Sequence, residues 1–288
     1  MRLLVFGKSG QVARMLAIAC KQEGIFAEFL DHSQANLTDP TACASKITET
    51  NADIIINAAA YTAVDKAEED EQTAHLVNAK SPIGMARAAA QRNIPFLHIS
   101  TDYVFDGSGT TPWRESDNPA PQGAYGRTKL AGDTGINAVD GANVILRTAW
   151  VFSPFGTNFV KTMLGVGADR PSLNVVNDQF GGPTSAMDIA AALLQIAKAF
   201  HTGAGVSGIY HFSGQPAISW ADFAEAIFEN TANAPQINRI PTSQYLTPAK
   251  RPANSVMDCT KIKTTYGIEQ PDWRVSLKKV LAALEEKA

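Results

Sequence analysis

The chain has 288 residues, 45% of them hydrophobic, which suffices to bury a full core and suits one α/β domain with a smaller appendage. A formal net charge of −3 leaves no broad basic field for nucleic acid, so substrate phosphates must be met locally. Three widely spaced cysteines without metal-ligand spacing read as reduced thiols, and no apolar run approaches the ~20 residues of a membrane span or the pattern of a signal peptide. A cytoplasmic protein with no membrane or nucleic-acid partner is expected.

The first strand, Arg2 to Phe6, runs into Gly7-Lys8-Ser9-Gly10-Gln11-Val12-Ala13, and a helical pattern follows through Met15, Leu16, Ala19 and Cys20. A strand ending in Gly, a second Gly three residues on and a small residue three after that let backbone amides approach a pyrophosphate at a helix N-terminus. Gly7, Lys8, Ser9, Gly10, Gln11 and Val12 are therefore candidate cofactor-binding residues. The next strand, Phe26 to Leu30, ends at Asp31 and His32. Asp31 stands where a carboxylate accepts the adenosine ribose hydroxyls, and equally where a solvated strand end would carry one. Asp39 before Pro40 is an N-cap for the following helix and is counted among the cofactor-side residues.

Short apolar strands and helical patterns then alternate: Asp53 to Asn57, a helix-rich region to Arg92, Pro95 to Ile99, a helix carrying Tyr125, and Asn143 to Arg147. This alternation implies a parallel sheet with crossover helices. Ala58, Ala59, Ala60 and Tyr61 follow the third strand and are small where a backbone must pass close to a cofactor, apart from the tyrosine. His98, between Leu97 and Ile99, reads as a core histidine, and Glu68-Glu69-Asp70-Glu71 as a solvated helix face. Beyond Trp150 the Pro and Gly punctuation thickens, with helices expected over Ile189 to Phe200 and Trp220 to Asn230. The expected organisation is a dinucleotide-binding domain of 1–150 plus about 184–213, interleaved with a sugar-nucleotide substrate domain of 151–183 plus about 214–288.

Tyr125-Gly126-Arg127-Thr128-Lys129 carries the chemistry. A Tyr and a Lys four residues apart project from one helix face, one turn apart. A phenol titrates near ~10 and is a poor acid at neutral pH, but a nearby ammonium favours the phenolate and is expected to bring Tyr125 toward working range.

The motifs Gly7-x-x-Gly10-x-x-Ala13, Asn57-Ala58-Ala59-Ala60-Tyr61-Thr62, Ser100-Thr101-Asp102-Tyr103-Val104-Phe105-Asp106-Gly107 and Tyr125-x-x-x-Lys129 together resemble the extended short-chain dehydrogenase/reductase family. Four finer blocks run in order: Thr101 to Gly107, Leu146 to Phe152, Asp178-Gln179-x-Gly181-x-Pro183-Thr184, and Arg251-Pro252-x-Asn254-Ser255. They are similar to the branch that reduces dTDP-linked 4-keto-6-deoxy-L-hexoses in dTDP-rhamnose synthesis.

The resemblance implies a doubly wound Rossmann-type parallel sheet with a smaller, interleaved C-terminal α+β substrate domain. It implies catalysis by Tyr125 as proton donor, Lys129 on the nicotinamide ribose and Thr101 on the substrate oxygen. It also implies a dTDP-sugar met by Val64, Thr101, Asp102, Tyr125 and Trp150, with Asn158, Gln179 and Arg251 toward the nucleotide diphosphate. The cofactor is NADPH or NADH: Asp31 favours NADH, whereas Lys8 and His32 attract a 2′-phosphate.

Some relatives dimerise through Mg²⁺ bridged by acidic residues, one of them shortly after the glycine turn. Here that segment reads Ala13-Arg14-Met15-Leu16, so a metal-bridged dimer is not expected, and a monomer or homodimer is. An epimerase or dehydratase shares the Tyr/Lys pair, but a dehydratase carries an acidic residue where Tyr103 stands. A non-catalytic, reductase-like regulatory subunit is the remaining alternative.

Overall fold

The computed structural model describes residues 1–229, 231 and 234–286. Six parallel strands form the central sheet: β1 (Arg2–Phe6), β2 (Phe26–Leu30), β3 (Ile54–Asn57), β4 (Phe96–Thr101), β5 (Asn143–Thr148) and β10 (Gly208–His211). Their order is β10-β5-β4-β3-β1-β2. The chain leaves β1 for one side of the sheet and returns to its other side at β3. The carboxyl ends of β1 and β3 therefore form the switch point where open α/β sheets bind ligands.

Alternation of side chains along each strand sends two apolar sets to opposite faces. Leu3, Val5, Ile54, Ile56, Leu97, Val144 and Leu146 meet α1 (Gln11–Gln22) and α8 (Ala186–His201). Leu4, Phe6, Ile55, Phe96 and Ile145 meet α2 (Pro40–Glu49), α5 (Ser81–Gln91) and α6 (Ala124–Asn137). Strands buried on both faces explain the near-continuous apolar runs in the sequence. Between β3 and α5 lie the short helices α3 (Val64–Ala67) and α4 (Glu71–His75). A π-type turn over Leu76–Lys80 joins α4 to α5.

The remaining elements cover the carboxyl edge of the sheet. β6 (Val151–Phe152) pairs with β9 (Thr184–Ser185), and β7 (Ser172–Val176) with β12 (Gln236–Ile240). β8 (Phe180–Gly181) lies between β11 (Ile218–Ser219) and β13 (Asn254–Ser255). Helices α7 (Phe159–Gly167), α9 (Trp220–Phe228) and α11 (Trp273–Glu285) enclose a second core of Phe152, Val160, Phe223, Ile227, Trp273 and Leu277. The helix expected to reach Asn230 ends at Phe228, and Asn230 lies outside the described residues. The helix preceding α11, α10 (Thr260–Tyr266), sends Ile262 back into the sheet-side core. Among the described residues no helix is long and apolar enough to cross a membrane, and all three cysteines are free and buried.

Candidate active site

A cavity of about 860 Å³ opens over the carboxyl ends of β1, β3, β4 and β5. Its first wall is the glycine turn. Gly7 has φ +101°, and a Cβ there would lie 3.3 Å from the Ala58 carbonyl carbon and the Ala59 nitrogen, so only glycine lets the two loops run this close. Gly10 caps α1 without a side chain, which leaves the first amides of that helix facing the cavity. Lys8, Ser9, Gln11, Val12, Ala58, Ala59, Ala60 and Tyr61 line the same wall. The buried hydroxyls of Ser100 and Thr148 also line the cavity and have no hydrogen-bond partner among the described residues. This cradle fits a dinucleotide: donors at a helix end, a backbone that admits no side chain, and buried polar atoms awaiting partners.

Asp31 and His32 stand at the far end of the cavity. Asp31 Oδ1 accepts from Ser33 N, Ser33 Oγ and Gln34 N, while Oδ2 lies 3.7 Å from Lys8 Nζ. These hydrogen bonds, the Ser33 hydroxyl first, hold the carboxyl below its usual range, so it is ionised at neutral pH. Asp31→Ala is expected to weaken NADH more than NADPH, because it removes a hydroxyl acceptor for one and a repelling charge for the other. Equal losses in measured dissociation constants would place Asp31 away from the ribose. Asp39 does not reach the cavity. Its carboxylate accepts from Ala42 N at 3.0 Å and caps α2, which is the other role expected for it.

The floor is built by β4 and α6. Thr101, the last residue of β4, donates to Asp102 Oδ1 at 2.9 Å, accepts from Tyr103 N at 3.2 Å and shares the cavity floor with Tyr125. Gly126 lets α6 approach the end of β4, since a Cβ there would meet the Tyr103 carbonyl oxygen at 2.2 Å. Burial pushes the Asp102 carboxyl up to about 6, against the hydrogen bond from Thr101. Tyr103 packs edge-on against Tyr125 with ring centres 5.5 Å apart.

Lys129 is buried, and its Nζ donates to the Ile99 carbonyl at 2.7 Å and lies 3.0 Å from His98 Nε2. One expectation needs correction here. The phenol of Tyr125 lies above its ordinary value, not below it, because burial is the largest influence and the lysine head is turned toward β4. A raised phenol stays protonated across the physiological range, which suits a group that must donate. Burial meanwhile brings Lys129 down to about 8, with Asp133 opposing. The ammonium is thus present below about pH 8 and lost above it, so kcat/KM is expected to fall as pH rises through that value. A profile flat across that range would free Lys129 of any essential charge.

Val64 and Trp150 line the cavity beside this floor. Trp150 adopts φ +49°, a region that non-glycine residues rarely occupy, and its ring stacks on Trp220 at 3.4 Å and 7°. One indole face is therefore covered by α9, Gly181 packs close to the ring, and Trp150 still lines the cavity. Three residues expected on the substrate side do not line it. Asn158 Nδ2 donates to Gln11 Oε1 and Ser153 O while its Oδ1 caps α7, and Gln179 donates to Thr242 Oγ1. Arg251 gives its fork to both oxygens of Asp65, at 3.2 and 2.9 Å, next to Val64.

Comparison with known proteins places this arrangement. The family described as RmlD substrate binding domain matches residues 1–286. The dTDP-4-dehydrorhamnose reductase of Aggregatibacter actinomycetemcomitans is 43% identical over 99% of both chains, and that of Escherichia coli K12 is 39% identical over 99% and 98%. The chain belongs to the dTDP-4-dehydrorhamnose reductase family. A crystal structure of such a reductase from Clostridium acetobutylicum superposes with a TM-score of 0.92 at 36% identity, covering 99% of this chain and 100% of that one. Another, from Bacillus anthracis in complex with NADP, has a TM-score of 0.90 at 31% identity, covering 98% and 99%.

Within this reductase fold, four residues that sequence reasoning missed position the site. Asn78, in the π-type turn, accepts from Tyr61 N, donates to Tyr61 O and reaches Thr128 Oγ1, tying a cavity loop to α6. Asp133 and Arg147 form a buried pair at 3.0 Å between α6 and β5. Trp220 backs Trp150. None of the four carries a local signal, since each acts through partners distant in sequence.

Proposed function

We propose that the enzyme catalyses reduction of the 4-keto group of dTDP-4-dehydro-L-rhamnose to give dTDP-L-rhamnose, the last step of dTDP-rhamnose synthesis. The observation that carries this reading is one cavity that gathers Thr101, Tyr125 and Lys129 on its floor and the glycine turn on its wall. NADPH or NADH, when bound, supplies the hydride. Thr101 holds the carbonyl oxygen and orients it toward Tyr125. As negative charge grows on that oxygen, the phenol O–H transfers its proton to it, leaving an alcohol and a phenolate. Lys129, held between Ile99 and His98, engages the nicotinamide ribose and offsets the charge left on Tyr125.

Val64 and the uncovered part of Trp150 give an apolar surface suited to a deoxysugar, with Asp102 close to the reacting oxygen. Residues 1–150 plus about 184–213 serve the dinucleotide, and 151–183 plus about 214–288 the sugar nucleotide. Arg251 reaches the diphosphate by exchanging Asp65 for it. A water-soluble nucleotide sugar suits a cytoplasmic enzyme acting as a monomer or homodimer.

The test is loss of reduced-nicotinamide absorbance with dTDP-4-dehydro-L-rhamnose and, in parallel, with UDP-linked 4-keto sugars and the free sugar. Rapid oxidation is expected with the first substrate. The free sugar should lose turnover as well as affinity, because binding energy from the remote nucleotide positions the reacting carbon. Consumption only with a different nucleotide sugar would overturn the rhamnose assignment and leave the reductase standing.

A further inference from the structure

Lys129 ends a row of three buried polar groups, and the reduction assigns no role to the other two. Asn57 ends β3, His98 sits in β4 and Lys129 projects from α6, and none is more than 1% exposed. Asn57 Nδ2 is 3.1 Å from His98 Nδ1, and Lys129 Nζ is 3.0 Å from His98 Nε2.

Chemistry constrains the hydrogens of this row. The Ala59 backbone N–H can only donate, and it donates to Asn57 Oδ1 at 3.2 Å, so the Asn57 amide presents its N–H to the ring. His98 Nδ1 must then accept, and a neutral imidazole with an accepting Nδ1 carries its hydrogen on Nε2. That hydrogen points at Lys129 Nζ. A neutral amine meets it with a lone pair, whereas an ammonium has only hydrogens to offer. The bond from Nζ to the Ile99 carbonyl survives in both states.

We propose that His98, oriented by Asn57, is a positioning residue for Lys129 whose ring tautomer is tied to the protonation state of the lysine. When the lysine is neutral, the row reads Asn57 N–H to Nδ1 and Nε2–H to Nζ. When Nζ takes up one proton, it donates to Nε2, the ring hydrogen moves to Nδ1, and the Asn57 amide turns its oxygen to receive it. That turn releases the Ala59 N–H, in the loop that packs on Gly7. The charge of the lysine is thereby coupled to the backbone of the cofactor cradle.

The other charged or titratable groups around the row are Asp133 and Tyr125 on α6, Arg147 on β5 and Asp102 after β4. Burial holds the His98 ring well below its ordinary value, which keeps it neutral in both states. The functional meaning of the coupling rests on Lys129 serving the reduction as proposed above, but its existence does not.

Nitrogen-15 NMR of the histidine rings in the full-length, ligand-free protein tests it. His98 should be the Nε2–H tautomer above about pH 8 and pass to Nδ1–H as Lys129 protonates below it. A single tautomer throughout the lysine titration would overturn the proposal. In His98→Gln the side-chain amide can give its oxygen to the ammonium with no tautomer to change. The Lys129 midpoint, read from its labelled ε-carbon, should then rise by about 1 pH unit, and the alkaline limb of kcat/KM should follow. An unchanged midpoint would reduce His98 to a packing residue. If the variant does not fold, the wild-type tautomer titration decides alone. Should the protein reduce no 4-keto sugar at all, both NMR readouts still stand, so the two proposals fail separately.

Discussion

Tyr125→Phe is expected to lower turnover by about two to four orders of magnitude while leaving the Michaelis constant for the sugar nucleotide little changed. The substitution keeps the ring, its edge contact with Tyr103 and the packing of α6, and removes only the hydroxyl with its transferable proton. The raised phenol makes the prediction sharper. Because Tyr125 stays protonated well beyond neutrality, the alkaline limb of the wild-type profile belongs to Lys129, and the Phe variant should keep that limb at a lower plateau. Turnover near wild type would remove Tyr125 from the role of acid.

The second large effect concerns stability. Asp133 and Arg147 are 1% and 2% exposed and meet through one contact, Nε to Oδ2 at 3.0 Å. Asp133 Oδ1 and Arg147 Nη1 have no hydrogen-bond partner among the described residues, and the guanidinium also lies 5.3 Å from the centre of the Phe105 ring. Arg147→Met leaves a carboxylate buried without its counter-charge, and about 3–5 kcal/mol of folding free energy should be lost. Removing both charges in Arg147→Met with Asp133→Leu should restore much of it. Urea denaturation of the two single variants and the double variant reads the coupling directly. Additive losses would mean that the pair holds nothing together. Since Asp133 lies one turn beyond Lys129 on α6, the single variants should also reduce activity by loosening the helix that carries Tyr125.

The parts of the site that could be read from the sequence are those whose partners are neighbours along the chain. Gly7 and Gly10 announce the turn because a strand precedes them and a helix follows. Tyr125 and Lys129 announce one helix face through their spacing. Asp39 announces the start of α2 through Pro40. Where function depends on distant pairing, the local pattern carries no trace. Arg251 is an unassigned cation in the sequence, and only the fold brings it onto Asp65, 186 residues away. Trp150 reads as a single aromatic, and its stacking on Trp220 appears only when α9 folds over β5. Lys129 was expected to act on Tyr125 from the same helix face, but the space that receives its head is set by β4, through Ile99 and His98.

The route of the chain through the sheet has a further consequence. α8 covers α1 and β10 pairs with β5, yet both arrive only after the chain has built β6 to β9 on the other side of the cavity. A break after Trp150 would leave β5 as a bare edge and strip the apolar face of α1. The first 150 residues are thus no transplantable module: any exchange of β6 to β9 must leave α8 and β10 in place on the sheet.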